Sequence, residues 1–186
     1  METWYNPPMF QSTAMPGWFD QHFRNMQEYA NMACTGVLVG TRSNAEVKIA
    51  GLFGRDINYI PTEKDFDSLM DGLQKAAEIY LEGGAERVMP NSFNYYEYKT
   101  VADLKRNLRK DIKASPDIST GTGHPQGGNV MSNDKETGVV DENFKVFGYD
   151  NLFVCDASVF PTSLGVNPQV TVMTMAHYAA PLIAKN

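Results

Sequence analysis

Several things are scarce in this chain of 186 residues. It has only two cysteines, Cys34 and Cys155, far apart and without C-x-x-C spacing. That excludes a disulfide framework or a cysteine-rich zinc site and leaves buried free thiols as the expectation. No metal site is read. Positive charge is in the minority, 16 Lys and Arg against 22 Asp and Glu, for a net charge of −6. Nucleic acid and anionic membrane are therefore excluded as main partners. No apolar run approaches the roughly 18 residues of a membrane span. The opening, Met1 to Pro8, lacks the basic and apolar regions of a signal peptide. A Gly-x-Ser-x-Gly elbow is missing, which argues against a serine hydrolase built around a histidine. Missing too is the strand–Gly-x-Gly-x-x-Gly–helix unit that holds a dinucleotide. Gly36 and Gly40 fall in a hairpin pattern, and Gly121-Thr122-Gly123 precedes no helical pattern.

What is present suits one domain, or two interleaved parts. Residues 1–30 are read as mostly irregular, with a helical turn or two between Gly17 and Ala30. Trp4, Tyr5, Met9, Phe10, Trp18 and Phe19 crowd into that stretch, which reads like the interior of a larger protein entered midway. The runs 34–40 and 45–53, joined by a polar turn, predict an antiparallel hairpin with Val47 and Ile49 on one face. A third strand is expected over 56–60 and a short one over 85–90. Thr62 and Asp65 open a helix whose residues Phe66, Leu69, Leu73, Ala76, Ala77 and Tyr80 share a face, and Gly83-Gly84 ends it. A second helix, 100–114, sets Val101, Leu104, Leu108 and Ile112 against a basic face that reads as solvated or, alternatively, as meeting an anionic partner. Ser115-Pro116-Asp117 marks a boundary between a portion 1–115 and a portion 116–186. Short strands around a tight turn are expected between Val139 and Asp156. A last helix, capped by Asn167 with Pro168 at its first position, should run to about Ala184 and be buried nearly all round. The fold class is α+β, an antiparallel sheet backed by helices.

Three places can carry chemistry. His124, one of three histidines, lies in Gly123-His124-Pro125-Gln126-Gly127-Gly128. Pro125 biases His124 toward extended backbone, Gly127-Gly128 admits a flat ligand closely, and an imidazole takes a proton near neutral pH. The plainer reading is a histidine hydrogen-bonded in a loop. Asn167 either caps the last helix or turns its amide toward a substrate oxygen. In the second case the N–H groups of Gln169 and Val170 and the positive helix end suit an electron-rich group. Asp156, at the end of an apolar strand, either holds N–H groups of its own turn or belongs to a turn packed on a cofactor.

Together the three places resemble the C-terminal part of the glucose-methanol-choline (GMC) flavin oxidoreductases. The matching runs are His124-Pro125-Gln126-Gly127-Gly128, Val139-Val140-Asp141, Leu152 to Pro161 with Asp156-Ala157-Ser158 inside it, and Asn167-Pro168-Gln169-Val170-Thr171. Order and spacing agree over about the last 65 residues. Gly128 and Asn167 are similar to the cholesterol-oxidase-like branch.

The resemblance implies oxidation of an alcohol or sterol with FAD, hydride passing to flavin N5. His124 would be the base or would position the hydroxyl, and Asn167 would hold the substrate oxygen, since an amide is no base. Asp156, Ala157, Pro168 and Gln169 would line the flavin. Residues 1–115 would belong to a substrate domain, and 116–186 would complete an FAD domain whose Rossmann part is not in this chain. The chain would then be a C-terminal fragment that binds FAD weakly or not at all and does not turn over. The missing FAD-binding domain would be its partner. The loops 121–137 and 157–166 would depend on the cofactor for order. The alternative is a non-catalytic module that kept the fold and binds a partner or a small apolar ligand.

Overall fold

A computed structural model describes residues 1–3, 5–50 and 54–185, which fall into two compact units. The first comprises Met1–Val39 and Ser43–Thr120, the second Gly40–Arg42 and Gly121–Asn186. The class is α+β. Among the described residues the regular strands form two small antiparallel two-stranded sheets, and five α-helices accompany them.

In the first unit, β1 (Glu2–Thr3) pairs antiparallel with β2 (Thr35–Gly36). Between them lie α1 (Pro8–Ala14), where irregular chain was expected, and α2 (Phe19–Gln27), where a helical turn or two was expected. The missed signal for α1 was Pro8, a residue whose fixed φ suits the first helical position. Tyr5, Met9, Phe10, Trp18, Phe19 and Phe23 stay largely exposed on this segment.

The expected hairpin has a different partner. β3 (Glu46–Ala50) pairs with β4 (Gly54–Asn58), matching Val47 with Ile57 and Ile49 with Arg55, while the 34–40 run contributes only β2. Alternation along one strand fixes its two faces and not its neighbour, so the pattern over 45–50 leaves the pairing open. Residues 51–53 of the expected second strand lie outside the described residues. The alternation over β3 is real, but its apolar face is not covered: Ile49 is 94 % exposed, and Val47 and Ile57 are exposed too. The stretch 85–90 supplies only a bridge, Val88 to Tyr98.

The two long helices follow the sequence closely. At the start of α3 (Glu63–Glu82) the Asp65 N–H donates to Thr62 Oγ1 and the Thr62 N–H donates to Asp65 Oδ2, each at 3.1 Å. This reciprocal cap satisfies two otherwise orphaned donors. The helix ends at Gly83, followed by Gly84 at φ +96°. α4 (Val101–Asp111) is capped by Thr100 and stops three residues short of the expected end, with Ile112 already extended. Met70, Leu104, Leu108, Ile112, Tyr98 and Ile118 form the core of this unit. The basic face of α4 is answered from within: Arg109 bridges Asp67 at 2.8 Å and Asp71 at 2.6 Å, and Lys105 reaches Glu78 at 3.5 Å. Those pairs favour the structural reading of that face.

The second unit has one regular helix, α5 (Gln169–Ile183), and otherwise a chain of short bridges and turns. Val140 bridges both Met131 and Val146, and Lys145 bridges Phe153, around a turn with Gly148 at φ +83°. Val140, Phe144, Val159, Phe160 and Ala179 make the core. Only one face of α5 is buried: Val170 is 75 % exposed, and Met173 and Tyr178 are also open. The expectation of all-round burial is thus corrected, since within this unit a single cluster packs on the helix. Both cysteines are free, and both are half-buried where burial was expected. No described helix is long and apolar enough to cross a membrane.

Candidate active site

The three stations of the motif lie in the second unit, and backbone hydrogen bonds tie two of them together. The N–H of Gly127 donates to the Ala157 carbonyl at 3.3 Å, that of Asn129 to Ser158 at 2.8 Å and that of Met131 to Val159 at 3.0 Å. The His-Pro loop and the Asp-Ala-Ser turn therefore run side by side over five residues. Asn129 Nδ2 also donates to Ser158 Oγ at 2.9 Å. The Leu164 N–H donates to Gln126 Oε1 at 3.2 Å, which connects the His-Pro loop to the segment leading into Asn167 and α5. Gln126, Asn129 and Ser158 were not singled out from sequence. Gln126 and Ser158 stand inside the matching runs, but their side-chain partners lie about 30 to 40 positions away, so no local pattern marks these ties.

His124 is half-buried, and its own N–H donates to Thr122 Oγ1 at 2.9 Å, a small turn that shapes the loop. Among the described residues nothing hydrogen-bonds its imidazole, so the reading of a loop histidine anchored through its ring has no support. Gly127 adopts φ +84°, and a Cβ there would stand 3.4 Å from the Phe160 carbonyl oxygen. Its glycine character thus serves the chain's own turn and not the approach of a ligand. Gly121 and Gly123 differ, because a Cβ on either would meet nothing within 4 Å. The open backbone edge lies just ahead of His124. Gly40 and Gly165 press together, a Cβ on one lying 3.2 Å from the Cα of the other, which seats the 161–167 loop.

Asp156 takes the plainer of its two roles. Its carboxylate accepts the Ser158 N–H at 2.8 Å and caps the short turn Ala157–Val159. The Ser158 hydrogen bonds hold its pKa below the usual carboxylate range. Desolvation pushes the neighbouring Cys155 thiol up. Ala157 is half-buried and its carbonyl is taken by Gly127.

At α5 the cap falls one residue later than expected. Pro168 occupies it, buried, its carbonyl accepting the Val172 N–H at 2.8 Å. Proline has no side chain that can cap, so the first-turn N–H groups from Gln169 onward gain no cap from it. Asn167 and Gln169 are exposed beside them. Donor N–H groups and the positive end of a 15-residue helix suit an electron-rich ring edge or an anion. A donor set of this kind suits the pyrimidine side of a flavin.

The profile of the GMC oxidoreductase family matches residues 43–176. The chain belongs to the GMC oxidoreductases. Among individual relatives, a long-chain-alcohol oxidase of Arabidopsis thaliana is 29 % identical over 88 % of this chain and 23 % of its own length. A dehydrogenase of Strobilurus tenacellus is 45 % identical over 69 % of this chain and 22 % of its own. A cholesterol oxidase of Acinetobacter baumannii is 43 % identical over 31 % of this chain, 10 % of its own. The chain thus spans about a quarter of the length of the long-chain-alcohol oxidases it matches.

Proposed function

We propose that this chain is the C-terminal region of an FAD-dependent oxidoreductase that oxidises the CH–OH group of an alcohol or sterol. The observation that supports this most is the pairing, in the second unit of a GMC oxidoreductase, of the His124 loop with the Asp156 turn through three backbone hydrogen bonds. The relatives named as long-chain-alcohol and cholesterol oxidases support the substrate class.

When bound, FAD supplies the acceptor for the hydride that leaves the alcohol carbon, so that a carbonyl remains. The chain's own residues do the rest. His124, with its imidazole uncommitted, takes the hydroxyl proton as the hydride departs. Asn167 donates its amide to the substrate oxygen and orients it, without exchanging a proton. Pro168 and Gln169 present the N-terminal end of α5 to the cofactor, where its partial positive charge offsets negative charge gained on reduction. Asp156 and Ala157 shape the turn against which the His124 loop is aligned, so they position and do not react. Residues 1–115 serve the substrate domain and 116–186 complete the flavin domain. The chain alone binds FAD weakly and does not turn over, because the dinucleotide-binding unit lies in another part of the protein.

The test compares this chain with the same chain joined to its upstream sequence. The longer protein should carry about one flavin and oxidise 1-dodecanol or cholesterol. This chain should show neither activity nor a rise in melting temperature with added FAD. A flavin band near one per chain on the short form would overturn the fragment reading. No alcohol oxidation by a flavin-loaded long form would overturn the enzyme reading in favour of a binding module.

A further inference from the structure

The first unit contains an open-mouthed cavity of about 550 Å³, a volume within the range of roughly 300–1,000 Å³ usual for small-molecule sites. Nothing in the alcohol-oxidising reading uses it. Tyr5, Tyr29, Tyr80 and Met32 give it aromatic and apolar wall, and Asn6, Gln11 and Cys34 give it polar atoms. None of its described lining residues is Asp, Glu, Lys, Arg or His. A charged ligand would therefore shed water there without meeting a counter-charge. The Tyr29 hydroxyl, pushed up to about 12 chiefly by its hydrogen bond with Tyr5, is neutral as well.

Gln11 indicates what kind of ligand belongs. It is only 8 % exposed. Its Oε1 accepts from Asn6 Nδ2 at 3.0 Å and from Cys34 Sγ at 3.4 Å. Asn6 is itself held, since the Tyr29 hydroxyl donates to its backbone carbonyl at 2.5 Å. Two donors on one oxygen fix which way the carboxamide faces. The Nε2 end, with two hydrogens to give, makes no hydrogen bond among the described residues. No described buried side-chain nitrogen or oxygen lacks a partner, so Nε2 is open to solvent, on a residue that lines the cavity. A ligand oxygen accepting there would take the place of the water that otherwise meets this donor, on a side chain already held in place by Asn6 and Cys34.

We propose that this cavity is a second binding site, for a small uncharged molecule with a carbonyl or ether oxygen on an apolar or aromatic body. The oxygen accepts from Gln11 Nε2, and the body rests on the tyrosines and Met32. Acetophenone, toluene and benzoate probe it, as molecules of similar size with a neutral acceptor, no acceptor and a charge. The readout is the ¹H–¹⁵N signal of the Gln11 side-chain amide in the 186-residue chain. Acetophenone should shift it saturably, and toluene should bind about tenfold more weakly, the effect of one hydrogen bond. Benzoate should leave it unmoved. Gln11→Met should weaken acetophenone about tenfold, read on neighbouring backbone amides. Because that change also strips an acceptor from Asn6 and Cys34, Ala33→Phe is the second variant: it fills the cavity from an exposed lining position and should abolish binding with the circular dichroism unchanged. Benzoate binding as well as acetophenone, no saturable shift with acetophenone, or undiminished binding to a folded Ala33→Phe protein would each overturn the proposal.

Discussion

The helix pair of the first unit and the motif loops of the second are held by different physics. Between α3 and α4, Met70, Leu104 and Leu108 are buried and the helix ends are closed by threonine caps. Amphipathic periodicity places those side chains, and burial of apolar surface holds them. In the second unit the segments 124–131 and 156–160 contain no regular strand, and their alignment rests on backbone hydrogen bonds, a positive-φ glycine and side-chain ties such as Asn129 to Ser158. A packed helix pair offers stability and little chemistry. Loops fixed by their own backbone leave polar atoms such as the His124 ring for a ligand, at the cost of depending on many small interactions.

The largest effect that divides the two regions should come from His124. In the full-length protein His124→Gln should lower kcat by about 100- to 10,000-fold, with the melting temperature unchanged. A comparable fall in melting temperature would show that the loop histidine is structural and would erase the contrast. Core truncations come next. Leu104→Ala in the first unit and Phe144→Ala in the second should each cost about 2–5 kcal/mol in urea unfolding. A loss below about 1 kcal/mol at Phe144 would mean that the second unit rests on its backbone ladder even more than its small core suggests. Gly127→Ala should cost about 1–2 kcal/mol, because φ +84° is strained for any residue with a Cβ. It should also move the amide signals of 157–160, which a purely local strain would leave in place.

The smallest effect is in acid. Ser158 hydrogen bonds depress the pKa of Asp156 in the folded chain. Its contribution is therefore complete above the unfolded value near ~3.9 and fades as pH falls through the lower folded value. Asp156→Asn should flatten the decline of stability below about pH 4, with little change at neutral pH. An unchanged acid limb in urea titrations would remove Asp156 from the interactions that hold the turn.

Much of the first unit was legible. The Thr62–Asp65 cap, the Gly83 stop and the faces of α3 and α4 are local, and local spacing encodes them. The hairpin was legible in its alternation and not in its partner, since alternation along one strand fixes its faces and does not say which neighbour it pairs with. Helix α1 hid among prolines and aromatics. In the second unit the motif residues stood out. The choice between two roles did not, for either Asp156, which caps its own turn, or Gly127, which meets its own chain. A single Gly-rich string reads the same whether its glycines face a ligand or a neighbouring carbonyl.

By itself the sequence determined where α3, α4 and α5 lie, the α+β class, the lack of a dinucleotide-binding loop and the run of motifs that marks a GMC oxidoreductase. Each depends on residues close together in the chain, or on their order along it. Only the tertiary structure decided that the His124 loop lies along the Asp156 turn, that Gln126 and Asn129 fasten it, that α5 starts after Pro168, and that Asn6 and Cys34 hold the Gln11 carboxamide at the edge of a cavity. These join residues that are far apart in sequence or turn on a single backbone angle. Sequence periodicity carries no record of such contacts, because they form only when the packed chain brings one donor to one acceptor.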